Sequence, residues 1–220
     1  MPCQTNRTIC LIAAVGLLML LCVRAETWAV GQFAALTFGN LADWKEKSFL
    51  GHTTYAVEQE GGKAVLHAQT TGMASGLYRK VAVNSREMPV LKWSWKVSQT
   101  LPAEDPYRRS GDDFAARVYV IFPGRFFWQT RALVYVYSDK LPVGTVIPSA
   151  YTDYVAIISV ASGNGQSSTW RQEARRYVED YRSYFHRDPP DPEAVAVMTD
   201  GDNTGSRAEA WYGDLAFSKE

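Results

Sequence analysis

Carboxylates, amides and guanidinium groups gather at two places in this chain of 220 residues. The first is Asp200-Gly201-Asp202-Asn203-Thr204-Gly205, where Asp200, Asp202 and Asn203 supply three oxygen donors at close spacing, the donor type that hard cations such as calcium take. An EF-hand does not fit, because the position of its bidentate glutamate falls on Trp211 and Glu209 stands two residues too early. Asx-rich turns also form without any metal, since these side chains bond their own backbone. The loop therefore reads first as a structural turn, and second as a calcium site with Asp200 and Asp202 as candidate ligands.

The second place is Asp105-Pro106-Tyr107-Arg108-Arg109-Ser110-Gly111-Asp112-Asp113, which leads into a strand carrying Arg117. Arg109 and Arg117 can grip sugar hydroxyls or a carboxylate bidentately, Tyr107 offers a stacking face, and Asp112 and Asp113 can accept hydrogen bonds. The same residues can equally form an ion-pair network that orders a long loop at the edge of the fold. Alternation along the strand places Asp113, Arg117 and Tyr119 on the face opposite Phe114 and sends Asp112 and Asp113 to opposite faces. A glycosidase needs two facing carboxyl groups, so Asp112 or Asp113 would have to meet Asp200, Asp202 or Glu209 from elsewhere. The working expectation is that Asp112, Asp113, Arg117, Asp200, Asp202 and Asn203 come together, with Tyr107 and Arg109 completing a ligand-binding set.

Other chemistries find no support. His52, His67 and His186 are far apart and lack the helical spacing of a zinc site, and His67 reads as a partly covered structural residue. No G-x-S-x-G elbow occurs, and no glycine-rich phosphate loop follows a strand and opens a helix. Cys3, Cys10 and Cys22 are the chain's 3 cysteines, and all fall in a leader that reads as a signal peptide. There Arg7 gives the basic start, Ile9 to Val23 the apolar stretch, and a cut is expected before Glu26. Leu21 before Cys22 argues against lipidation, and the apolar run is shorter than the roughly 20 residues of a spanning helix, so an uncleaved tether is the second choice. The expected mature chain, residues 26–220, is then periplasmic or secreted and free of thiol chemistry. Cleavage removes Arg7 and Arg24 from the 23 basic residues and none of the 23 acids, a net charge of −2 that gives no general attraction for nucleic acid or anionic lipid. A membrane partner would come only through an uncleaved leader.

The elements that must position these residues read as strands. Short alternating segments are separated by Gly, Pro, Asn or Asp, the pattern of strands with one buried face. Lys63 to Thr70 should pair with Tyr55 to Gln59 across Gly61-Gly62. Leu91, Trp93, Trp95 and Val97 share one face and Lys92, Ser94 and Lys96 the other. Phe114, Ala116, Val118, Val120 and Phe122 fall on one face, with Arg131 to Tyr137 returning after Pro123-Gly124. Phe126-Phe127-Trp128 lies in that loop, packed beneath it or free to touch a ligand. Tyr154 to Val160 is apolar on both faces and suits a central strand, and Ala194 to Thr199 and Ala208 to Phe217 complete the set. Thr169 to Phe185 fits a helix, or a strand with Trp170, Gln172, Ala174, Arg176 and Val178 on one face followed by a helix near 179–185. The all-β context favours the second.

Ser75-Gly76-Leu77-Tyr78-Arg79, Trp93-Ser94-Trp95-Lys96-Val97, Asp112-Asp113-Phe114-Ala115-Ala116-Arg117-Val118-Tyr119-Val120 and Asp200-Gly201-Asp202-Asn203-Thr204-Gly205 together resemble the DUF3047 family, over about Phe33 to Phe217. The resemblance implies a secreted bacterial protein and no established activity. The closing strand Trp211 to Phe217 also looks like that of the galactose-binding type of jelly roll, a likeness of architecture that does not settle function. The sequence thus points to an all-β antiparallel sandwich of jelly-roll kind forming one domain over 26–220. It is expected to bind a saccharide or another envelope component through edge loops, without a required cofactor. The rivals are a glycan-active hydrolase or lyase using loop carboxylates and a non-catalytic structural envelope protein.

Overall fold

The computed structural model describes residues 33–164 and 167–220, so the leader lies outside the described residues. In chain order the strands are β1 (Phe33–Leu36), β2 (Lys45–Leu50), β3 (Thr54–Glu60), β4 (Lys63–Thr71), β5 (Ala74–Lys80), β6 (Val90–Val97), β7 (Ala116–Phe122) and β8 (Arg131–Ser138). Then come β9 (Val146–Ser149), β10 (Thr152–Ser162), β11 (Arg171–Arg175), the helix α1 (Tyr177–Phe185), β12 (Ala194–Asp200), β13 (Arg207–Tyr212) and β14 (Leu215–Ser218). No helix among the described residues is long and apolar enough to cross a membrane.

Two sheets form. The first runs β1-β14-β6-β13-β4-β3 and has β11 on the other edge of β6, while the second runs β2-β5-β12-β7-β8-β10-β9. Leu91 pairs with both Phe217 and Arg175, and Trp95 with both Tyr212 and Arg171, so β13 and β14 follow one another along one edge of β6. The single strand expected over 208–217 is therefore two strands. It breaks at Gly213, where an added Cβ would run into Ser94 Oγ. All pairs are antiparallel except β8 and β10, which run parallel, a departure from a purely antiparallel sandwich.

Local chemistry explains the elements. Gly61 and Gly62 take positive φ, 59° and 77°, between Glu60 and Lys63, the geometry that a two-residue hairpin turn requires. β6 buries Leu91, Trp93, Trp95 and Val97 as its alternation predicts. β7 and β8 form the expected hairpin, with Ala116, Val118, Val120 and Phe122 turned inward against Leu133, Tyr135 and Tyr137. Trp93 stacks on Tyr135 at 5.1 Å between the sheets. β10 is indeed interior, one strand from the sheet edge.

Residues 169–185 do form a strand and then a helix, with two differences. The helix begins earlier, at Tyr177, and β11 turns Gln172 and Ala174 to solvent while Arg171, Glu173 and Arg175 are half-buried. Polar partners decide the face, since Arg175 pairs with Asp180 at 2.6 Å and Trp95 Nε1 donates to Glu173 at 3.4 Å. A helix this short is unstable alone. It is held by burying Tyr177, Val178 and Tyr181, with Tyr181 4.6 Å from Phe122 and Tyr177 5.4 Å from Phe217, and it ends at His186 in the left-handed conformation.

A second hydrophobic cluster lies on the outer face of the second sheet, built from Phe114, Ala132, Val134, Val136, Leu141, Ile147 and Ile157. Phe114 thus belongs to this face and not to that of Ala116 and Val118. The chain bends at Ala115, and strand alternation starts only at Ala116.

Candidate functional site

The two sequence constellations meet at one end of this outer face. β7 and β12 are neighbours with Arg117 opposite Met198, which carries Arg117 to the end of β12 where Asp200 stands. Because Ala116 and Val118 point inward, Arg117 points outward, yet it is only 5% exposed. Its Nε donates to Asp200 Oδ1 at 2.9 Å and its Nη1 to Asp112 Oδ1 at 3.3 Å, while Nη2 donates to Asp200 Oδ2 and to the Asp112 carbonyl. The Phe114 ring lies 4.5 Å from the guanidinium. Its N–H donates to Asp200 Oδ1 at 3.2 Å.

Asp113 is fully buried and holds the second loop in place. Its Oδ1 accepts from the Asn203 N–H and Nδ2, each at 3.2 Å, and its Oδ2 accepts from the Thr204 N–H at 2.7 Å and Thr204 Oγ1 at 2.6 Å. Asp202 accepts from Asn203 Nδ2 at 3.0 Å. One oxygen each from Asp113, Asp200 and Asp202 lies within 4.8 Å of the others. The expected convergence of Asp112, Asp113, Arg117, Asp200, Asp202 and Asn203 is therefore present in the geometry.

Electrostatics follow from burial. Loss of water pushes the Asp200 carboxyl up to about 7 even though Arg117 pulls it down, and Asp113 adds to the rise. Burial also raises Asp112 and Asp202, with Asp113 contributing to both. For Arg117 burial works against the charge, but Asp200 and Asp112 outweigh it and keep the guanidinium protonated.

Arg109 reaches the rim. Its Nε donates to the Ala150 carbonyl at 3.2 Å and its guanidinium lies 5.0 Å from the Tyr151 ring, whose hydroxyl donates to Asn203 Oδ1 at 2.9 Å. Tyr107 is not brought in. It is 67% exposed, and its N–H donates to Asp105 Oδ1 at 3.3 Å within its own loop.

Beside the cluster opens a cleft of about 460 Å³, a volume typical of small-molecule sites. Val134, Val155, Ile157 and Met198 form its apolar floor, Tyr119, Tyr151 and Phe49 its aromatic walls, and Asp112, Arg117, Asp200, Asp202 and Asn203 its polar end. Strand alternation puts Tyr119 on the Arg117 face, but nothing along the chain singles out Phe49 or Tyr151. Their only common signal is spatial, since they come from a strand edge and a loop a hundred residues apart.

Two other sequence features have clear places. His67 bridges Glu58 at 2.8 Å and Glu209 at 2.9 Å and stacks on Trp211 at 4.6 Å, a structural role on the first sheet. In the β7–β8 loop Phe126 and Trp128 are 47% and 58% exposed and stacked 4.7 Å apart, so these two rings are not packed beneath the loop.

The three converging carboxylates raise the question of a cation. Calcium takes six to eight oxygens. Here both oxygens of Asp113 already accept hydrogen bonds, and both oxygens of Asp200 accept from the Arg117 guanidinium. Asp202 is the member with accepting capacity in reserve.

Residues 42–216, which include every residue of the cluster, match the family described as protein of unknown function, DUF3047. The chain belongs to the DUF3047 family. No curated protein matches this DUF3047 chain in sequence. Among solved structures, it is similar to the cleaved adhesin domain of Lys-gingipain from Porphyromonas gingivalis, with 13% identity and a TM-score of 0.41 over 86% of this chain and 99% of that one. It is also similar to a family 29 carbohydrate binding module, with 10% identity and a TM-score of 0.37 over 85% of this chain and 88% of the other. A third is the glycoside hydrolase domain of Endo-D from Streptococcus pneumoniae, with 10% identity and a TM-score of 0.41 over 80% of this chain and 22% of that chain. The DUF3047 chain thus spans about a fifth of that hydrolase structure. At these scores the likenesses assign no ligand and no residue role.

Proposed function

We propose that this protein is an exported ligand-binding β-sandwich that takes a saccharide in the cleft on the outer face of its second sheet. One observation carries the reading: an apolar floor and three aromatic side chains adjoin a fixed set of hydrogen-bonding groups in a single cleft. A sugar ring has an apolar face that suits Tyr119, Tyr151 and Phe49, and hydroxyls that suit Asp112, Asp202 and Asn203. The polar end is held rigid by the Asp113 and Arg117 networks, so little ordering cost falls on binding. Export rests on the leader of residues 1–25.

A glycan-active enzyme is the second reading. Asp200, with its carboxyl near 7, is the observation that favours it, since a raised acid in a cleft can protonate a leaving group. Against it, Asp200 is committed to Arg117 through both oxygens.

Titration calorimetry and thermal shift across a panel of mono- and oligosaccharides test the proposal. A saccharide that binds wild type and loses affinity with Tyr151→Ala supports it. Binding of none of the panel would overturn it, and turnover of a bound glycan abolished by Asp200→Asn would replace it with the enzyme.

A further inference from the structure

Phe126 and Trp128, stacked in the β7–β8 loop, are 47% and 58% exposed, and neither lines the cleft. Large exposed apolar side chains gathered at one place mark a contact surface. Strand register fixes where that place is. Lys80 pairs with Ala194, Ala194 with Ile121, Ile121 with Ala132 and Ala132 with Val155, so five strands of the second sheet come to one end together. The loop projects from that end, about 17 Å along β7 from Arg117 at the polar end of the cleft. Tyr154, 40% exposed, and the α1 residues Tyr184 and Phe185 adjoin it, with the Arg131 guanidinium 5.3 Å from the Tyr154 ring and 5.6 Å from the Phe185 ring.

The charges around these rings say what the surface meets. From Pro123 to Arg131 the chain holds Arg125 and Arg131 and no acid, and the Arg125 guanidinium lies 5.8 Å from the Phe126 ring. Among the described residues Lys80, Arg125, Arg131 and Arg187 enter no ion pair, while Arg182 takes Asp188 at 2.7 Å and Asp191 is held by Ser85. That leaves Asp153 and Glu193 as the acids facing four cations. Exposed rings interleaved with arginines suit the boundary of an anionic bilayer, where aromatic side chains sit at headgroup depth and guanidinium groups meet phosphate. A sugar would stack on an open ring face, whereas these two rings cover each other. A protein partner would need about 800 Å² of surface, and two rings on a projecting loop supply about 300–500 Å². We infer that this end of the second sheet docks on an anionic phospholipid surface, with Phe126 and Trp128 entering the headgroup region and Arg125, Arg131 and Arg187 meeting lipid phosphates. The folded domain then reaches the membrane without its leader, and the polar end of the cleft stands off the bilayer.

Sedimentation with vesicles is the test, using protein recovered after export with its leader removed. Wild type should bind vesicles of equal parts phosphatidylglycerol and phosphatidylcholine about tenfold or more tightly than vesicles of phosphatidylcholine alone, and raised salt should shrink the margin. Phe126→Ser combined with Trp128→Ser should weaken binding to the anionic vesicles by about tenfold or more, since both rings lose their insertion. Arg125→Gln combined with Arg187→Gln should weaken it by about fivefold for each charge removed. Both rings are exposed, so the serine variant should keep the wild-type melting temperature. Equal sedimentation of wild type and the serine variant, or binding of wild type to neither vesicle, would overturn the inference and leave the reading of the cleft untouched. A wild-type dimer that the serine variant dissociates would assign the rings to a second copy of the chain and overturn it as well.

Discussion

Arg117 on β7 and Asp200 at the end of β12 form a two-point ion pair on the outer face of the second sheet, with 5% and 1% of their surfaces exposed. The pair joins the two loops that carry the polar end of the cleft, because Arg117 also bonds Asp112. Removing one member strands the other's charge out of water. Arg117→Met should therefore destabilise the fold by about 3–5 kcal/mol in denaturant unfolding. Arg117→Lys should recover little of this, since one ammonium cannot serve two carboxylates and a carbonyl at once. A loss under about 1 kcal/mol would show that the pair is not a fixed part of the structure.

The Asp200 carboxyl gives stability a pH dependence whose sign is definite. Its value rises from 3.8 to about 7 on folding, so between those limits the folded protein holds more proton than the unfolded chain. The stabilisation is complete below the unfolded value and is lost as pH rises through the folded one. Burial of Glu104 and Asp112 acts in the same direction. The melting temperature should fall between pH 5 and pH 8, and Asp200→Asn should flatten that slope. A melting temperature that climbs over this range in wild type would refute the assignment.

Asp113 fastens one loop to another through four hydrogen bonds from Asn203 and Thr204. Asp113→Ala should cost about 2–4 kcal/mol, the scale of losing charged hydrogen bonds and leaving donors unpaired. Amide exchange at Asn203 and Thr204 should accelerate most, since their N–H groups lose their acceptor. Protection unchanged at these two amides would mean that the loop holds its shape without Asp113.

These consequences differ in how far the sequence foretells them. Period-two burial fixes β6, the β7–β8 hairpin and the Gly61-Gly62 turn, because each rests on neighbours along the chain. The convergence of Asp112, Asp113 and Arg117 with Asp200 to Asn203 is legible in the sequence because polar clusters at strand ends have few places to go. Phe114 departs from its apparent face because the chain bends at Ala115, and β11 takes the opposite face because Arg175 and Glu173 find partners toward the interior. Both outcomes are set by tertiary partners that no local period encodes. Phe49 and Tyr151 were illegible for the same reason, as was the separation of Tyr107 from the site.

The cation reading of the Asp200–Gly205 loop has its own measurement. With Asp113 saturated by four donors and Asp200 by Arg117, millimolar calcium should leave the melting temperature within about 1 °C of the metal-free value. A rise of several degrees, abolished by Asp202→Asn, would show that the carboxylates rearrange to take the ion.

Binding and stability should separate at the aromatic walls. Phe49 and Tyr151 are 64% and 50% exposed, so truncating either removes little buried surface and should change unfolding free energy by less than about 1 kcal/mol. Their rings nevertheless border the cleft, and Tyr151 additionally anchors Asn203 at 2.9 Å and carries the Arg109 guanidinium 5.0 Å from its ring. Tyr151→Ala should thus weaken saccharide binding by roughly tenfold or more, and Phe49→Ala by less, because among the described residues Phe49 positions no other polar group. Tyr151→Phe separates the ring from its hydroxyl: it should keep the stacking surface and lose only what the hydroxyl contributes at Asn203 and at the Arg109 carbonyl. If Tyr151→Ala binds as well as wild type, the ligand does not lie in this cleft, whatever else the protein recognises.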